Sequence, residues 1–107
     1  MTRRRDSLPA ELVEDVKVYL GITWNDDITD RRIVGFIGGG MAYIDRKYGG
    51  EADYDSDGLP RSLLFEYVRY ARDSSLDVFE NNYTSMILAM QHERRVYQSE
   101  ELQTAES

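Results

Sequence analysis

A chain of 107 residues suffices for one domain with a modest core, and the absence of cysteine excludes a disulfide frame, a thiolate nucleophile and cysteine-ligated zinc. Twenty acidic against thirteen basic residues leave a net charge of −7, with no clustered positive stripe of the kind that binds duplex DNA. No run of eighteen apolar residues occurs, and Thr2-Arg3-Arg4-Arg5-Asp6 is not followed by an apolar signal core, so a soluble protein made and used, or assembled, inside a cell is expected.

Residues 1–7 carry three Arg and one Asp, a net +2, and read as a mobile basic arm. Arg3, Arg4 and Arg5 are its candidates for touching nucleic acid or an acidic partner. Ser7 is placed to cap a first helix, with Pro9 in the opening turn and Glu11 and Glu14 near the positive end of the dipole. Leu12, Val13, Val16, Tyr19 and Leu20 share one face of it, and Gly21 supplies a left-handed terminus. "ITWNDDITD" is a loop, with Asn25 or Asp26 starting the next helix and with Trp24 and Ile28 pinning that entry to the core.

The second helix is predicted from about Asp27 to Tyr48, with Ile33, Phe36, Ile37, Met41, Ile44 and Tyr48 as its apolar stripe and Gly49-Gly50 as its end. A third begins after Asp57-Gly58, has Pro60 in its first turn, and turns Leu63, Leu64, Tyr67, Tyr70, Ala71 and Val78 inward. Asn81-Asn82 marks a break or tight turn. A fourth helix carries Tyr83, Met86, Ile87, Met90 and Val96. Residues 98–107 lose the pattern, carry a net −3, and read as an acidic flexible tail. The helical domain, residues 8–97, therefore holds −6 of the charge. With no repeat, no linker and no hairpin signal, the expected fold is all-α, a small bundle of about four helices.

Four motifs could carry chemistry. "DYDSDGLPRSLL" opens like a calcium loop, with Asp53, Asp55, Asp57 and Gly58 at positions 1, 3, 5 and 6, but position 12 is Leu64 where a bidentate Glu belongs. It reads as a hydrated turn in which Asp57 caps the third helix. "GFIGGG" lacks the spacing and the Lys of a phosphate loop and sits inside the helical period. Each interior glycine costs about 1 kcal/mol relative to alanine. Gly35, Gly39, Ala42 and Arg46 form a small-residue stripe opposite Ile33, Ile37 and Ile44, which is either a tolerated, kinked segment or a face for close approach of another helix or subunit. His92 has no Ser or Asp singled out beside it and reads as solvated or capping. Asp26, Asp27 and Asp30 could gather a cation, but answer a helix dipole more simply. Glu66, Arg69, Arg72 and Asp73 read as an exposed ladder of ion pairs. No catalytic group, cofactor or metal is expected.

Taken together, "VKVYLGITWNDDITDRRI" (16–33) and "GLPRSLLFEYVRYARDSSLDVFENNY" (58–83) resemble the head–tail connector proteins of long-tailed bacteriophages, the small helical adaptor or head-completion proteins. The resemblance rests on the order and spacing of "KVYLGI" (17–22), Trp24 with Asp27 and Asp30, Pro60-Arg61 with Leu63-Leu64, Tyr67 and Tyr70, and Leu76-Asp77 with Phe79 and Tyr83, and it spans residues 12 to 90. The Gly38–Gly40 run departs from the family's pattern. The resemblance implies a structural part and no enzyme: a ring, a dodecamer in the virion, seated under the portal protein after DNA packaging. Such a ring extends the DNA channel and seats the next neck, stopper or tail-completion protein. DNA passes without sequence-specific binding, no membrane is involved, and the chain resides in the virion neck after assembly from the host cytoplasm. Eight tyrosines suit interfaces that are apolar on one side and wet on the other, and an acidic lumen would repel phosphates. Gly35, Gly39, Ala42, Arg61 and Arg69 are the candidates for self-association, and Arg3, Arg4 and Arg5 for a partner-binding arm. The alternative is a small acidic helical regulator of one protein partner; a calcium-responsive module is a third class.

Overall fold

Apolar residues spaced three and four apart bury one face of each of four helices: α1 (Ala10–Tyr19), α2 (Asp27–Tyr48), α3 (Leu59–Arg72) and α4 (Leu76–Glu106). The computed structural model describes residues 8–106, with side chains over 8–100, and contains no strand among them. The expectations for Arg3, Arg4, Arg5 and Ser7 lie outside the described residues. The all-α bundle is as the periodicity predicts. Leu12 and Val16 of α1, Ile33, Ile37, Met41 and Ile44 of α2, Leu63, Leu64 and Val68 of α3, and Phe79, Ile87 and Met90 of α4 form one core.

α3 lies at its centre, packed on α2 and α4 and touching α1. α2 stays helical through all four of its glycines. The close approach falls at Gly40, where an added Cβ would stand 2.8 Å from Leu64 Cδ1 and 2.9 Å from Tyr67 Cδ1. That contact explains one glycine of the run; it lies beside the Gly35–Gly39–Ala42 stripe and not on it.

The helix ends show how local chemistry sets the turns. Asp26 caps α2, its Oδ2 accepting from the Thr29 amide at 3.0 Å and the Thr29 hydroxyl at 2.7 Å. α1 ends as predicted, with Gly21 at φ 75° and the Gly21 and Ile22 amides donating to Val18 and Lys17 carbonyls. α3 ends by the same pattern with serine in glycine's place: Ser74 sits at φ 58°, and the Ser74 and Ser75 amides donate to Ala71 and Tyr70. This turn corrects the prediction that the third helix continues to Val78. The chain reverses at residues 73–75, Val78 belongs to α4, and it is exposed.

Asn81 and Asn82 lie inside α4, followed by a bend at Tyr83 (φ −116°, ψ 16°). The Thr84 hydroxyl donates to the Glu80 carbonyl at 2.7 Å, side-chain competition of the sort that bends helices. Past the bend α4 runs through Tyr97 to Glu106, so the backbone is helical where the sequence pattern stops.

Three further expectations change. Pro9 is the N-terminal cap of α1 and lies outside its first turn. Gly58 takes the capping place on α3, and the exposed Asp57 makes no capping bond. Trp24 and Ile28 are 49% and 69% exposed, because Ile22 fills the core at that point and polar contacts hold the loop: Lys17 Nζ lies 2.9 Å from Asp30 Oδ1 and donates to Asn25 at 3.3 Å.

These contacts define two poles. The first gathers the end of α1, the start of α2 and the end of α3, where Arg72 donates to the Leu20 carbonyl. The second gathers the end of α2, the start of α3 and the outer half of α4. α1 and α3 therefore run one way, α2 and α4 the other, in a molecule of 53 × 29 × 22 Å.

Candidate functional site

The most concentrated polar chemistry lies in a groove of about 470 Å³ between α1, α3 and α4, lined by Tyr19, Arg61, Phe65, Glu66, Tyr83 and Met86 among others. Glu66, 17% exposed at its side chain, is its hub. Oε1 accepts from the Tyr19 hydroxyl; Oε2 accepts from the Tyr83 hydroxyl at 2.8 Å and from Arg69 Nε and Nη2 at 2.9 and 2.5 Å. Burial is the largest single influence on this carboxyl and pushes its pKa up, but the bonds from Tyr19, Arg69 and Tyr83 together bring it below the ordinary value. The partners respond in kind. The bond to Glu66, then burial, raises Tyr19; burial, then Glu66, pushes Tyr83 up to about 12. One bond to Oε1 and three to Oε2 make Glu66 the tie between α1, α3 and α4. The expected exposed ladder is corrected: Glu66 and Arg69 do pair, but inside this cluster, and Arg72 reaches Leu20.

Arg61 is also engaged inward. Its Nη1 donates to the Tyr54 carbonyl at 2.8 Å, its Nη2 to Asp15 at 2.7 Å, and its guanidinium lies 4.8 Å from the Phe65 ring centroid. It thereby anchors the loop between α2 and α3. That loop is the Asp-rich stretch, and its middle residue plugs the core: Tyr54 is buried, its hydroxyl donating to Asp45 at 2.7 Å, and the same carboxylate accepts from the Ala52 amide. Asp53 turns inward on its own loop, accepting from the Asp55 and Ser56 amides at 2.9 and 3.3 Å, and these bonds hold its pKa down. No group of three or more His, Cys, Asp or Glu is placed to hold a metal ion among the described residues. In the Asp26–Asp30 cluster, Asp26 is the helix cap and Asp30 is the partner of Lys17, whose pKa that bond raises.

A second polar cluster joins α2 to α4. Glu80 Oε1 accepts from Lys47 at 2.5 Å and from the Tyr43 hydroxyl at 2.7 Å, and these bonds lower its pKa. Beside it, Phe79 is ringed by Tyr43, Tyr67, Tyr70 and Tyr83 at centroid distances of 5.0–5.9 Å. Further along, α4 finishes α2: Gln91 Nε2 donates to the Lys47 carbonyl at 2.9 Å and Arg94 Nη1 to the Tyr48 carbonyl at 3.0 Å, while Arg94 stacks on Tyr48 at 4.7 Å. Nothing in the sequence marks Gln91 and Arg94 for this role beyond their place in "QHERR" (91–95). His92, between the two, is exposed.

Of the candidate self-association residues, Gly35 is half-buried and Gly39 and Ala42 are exposed on the outer side of α2 with Arg46. Arg69 is half-exposed, with its guanidinium 4.9 Å from the Tyr70 ring centroid. The structure does not bring the stripe and the two arginines into one site. Several large apolar side chains face solvent, among them Val18, Trp24 and Ile28 at the first pole and Leu88, Val96 and Tyr97 on α4. No helix among the described residues is long and apolar enough to cross a membrane. Comparison of the chain with protein-family models, curated proteins and solved structures finds no match.

Proposed function

We propose that this chain is a structural connector that assembles as a ring at the neck of a long-tailed bacteriophage particle, under the portal, where it extends the DNA channel and seats the next neck protein. The observation that carries the proposal is the order and spacing of residues over 16–33 and 58–83, which resemble those of head–tail connectors. The fold supports it in one respect: the groove's carboxylate accepts four hydrogen bonds from tyrosine and arginine donors and so joins three helices, which suits a scaffold that must hold its shape under load. The acidic body supports an acidic lumen along which phosphates slide, and Lys and Arg lining that lumen would remove this part.

Electron microscopy of the purified protein, alone and with portal, tests the proposal. Rings coaxial with the portal are expected. A chain that stays monomeric or dimeric at every concentration and leaves the portal bare overturns it and favours the acidic regulator. The arm of Arg3, Arg4 and Arg5 is proposed to contact a neighbour or the portal; tryptic cleavage there is then slower in assembled particles than in free protein, and equal rates remove that role.

A further inference from the structure

We propose that the outer end of α4 in one copy seats on the Trp24–Ile28 surface of the next, joining copies head to tail. This rests on the self-association in the reading above and names the surfaces that make it.

The receiving surface lies at the first pole. Trp24 and Ile28 are 49% and 69% exposed, and Val18 in the last turn of α1 is more exposed still. Arg31 and Arg32 follow Ile28 by three and four residues, which places them on the same flank of α2. Both are exposed, and neither has an ion-pair partner among the described residues. Exposed apolar side chains with two guanidinium groups one turn further along the same helix fit an acidic helix with apolar side chains at its root.

The outer end of α4 has that character. Val96 and Tyr97 are 44% and 59% exposed, and residues 98–107 carry three Glu and no Lys or Arg. Gln91 and Arg94 bond α4 to the end of α2, and from Arg94 the helix runs twelve residues to Glu106, about 18 Å at the usual rise. A polar helical end of that length is marginal in water by itself and gains from packing on a partner.

Geometry makes the contact intermolecular. Arg94 sits at the C-terminus of α2, whose twenty-two residues place Ile28 about 30 Å away, and α4, running the same way as α2, continues away from Ile28. The two surfaces differ, so the contact is heterologous and builds a ring where the rotation closes and an open filament where it does not. A three-turn helical end buries less than the roughly 800 Å² per partner of a standard interface, so one contact is weak and the closed ring gains by multiplicity.

Trp24 is the only tryptophan, so its emission reports the contact directly. Sedimentation velocity and fluorescence of the full chain are followed from about 10 µM to about 1 mM, the range for an interface of this size. Association with a blue shift of Trp24 at the same midpoint is expected. Arg31→Glu with Arg32→Glu should weaken association at least tenfold, and adding Glu101→Arg with Glu106→Arg should restore it, which loss of folding would not. Association that survives Arg31→Glu/Arg32→Glu, fails to return in the charge-swapped chain, or leaves Trp24 emission unmoved overturns this contact while a ring through another face stands. A chain that stays monomeric also overturns it; binding to the portal, seen separately by microscopy, then decides the ring.

Discussion

Gly39 and Gly40 are neighbours with opposite demands. A Cβ at Gly39 meets only the Tyr67 hydroxyl, at an ordinary 3.5 Å, so Gly39→Ala should stabilise the free chain by about 0.5–1 kcal/mol through helix propensity. At Gly40 the added atom meets the ring of Tyr67 and the buried Leu64, and Gly40→Ala should cost about 1–3 kcal/mol despite the same propensity gain. Urea denaturation of the two variants checks the pair; equal signs would contradict the packing described. Gly39→Ala also reports on the stripe, because a stabilised monomer that loses ring formation identifies it as an interface. At Glu66, Tyr83→Phe removes one of four donors from a half-buried carboxylate and should cost about 1 kcal/mol. Tyr19 bonds the same carboxylate, so the double variant with Tyr19→Phe is expected to deviate from additivity.

Among the elements, the turn between α3 and α4 holds a serine in the left-handed region, where a side chain is strained. Ser74→Gly should therefore stabilise by up to about 1 kcal/mol, seen as a higher denaturation midpoint at unchanged slope. The junction of α2 with α4 makes the complementary prediction. Arg94→Ala removes the donor to the Tyr48 carbonyl and the stack on its ring, so amide exchange should quicken in the last turn of α2 and in α4 beyond Met90, while α1 keeps its protection. Uniform change across all four helices would count against a local tie. Helix number and most core faces were legible because a 3.6-residue period is local: Ile33, Ile37, Met41 and Ile44 are buried as their spacing requires. The end of α3 was not, because glycine is the usual signal for that turn and serine stands there.

For the molecule as a whole, the titrating groups set a stability plateau with two falling limbs. Glu66, Glu80, Asp26 and Asp53 have lowered values in the fold, so the stability they lend is full above about pH 4.5 and is lost as pH falls through those values. Tyr19, Tyr43, Tyr67, Tyr83 and Lys17 have raised values, so their contribution is full below about pH 10 and is lost as pH climbs, Tyr83 titrating at about 12. Urea midpoints across pH should be flat between about 5.5 and 9.5 and fall on both sides. A midpoint still rising at pH 11 would contradict the tyrosine assignments.

Local spacing sufficed for the all-α class, the buried Leu12 and Val16 of α1, the core stripe of α2 and the Gly21 and Gly49 termini, because each depends on residues within one or two turns of chain. It left the α2 cap between Asn25 and Asp26, and it put on the core face of α1 the residue Tyr19, which is exposed because its hydroxyl reaches Glu66. Only the tertiary structure decided which polar side chains meet. Tyr19 and Glu66 lie 47 positions apart, Asp15 and Arg61 46, and Tyr48 and Arg94 46. Their pairing follows from how the helices cross, and helix crossing is a property of the packed core that no spacing along the chain records.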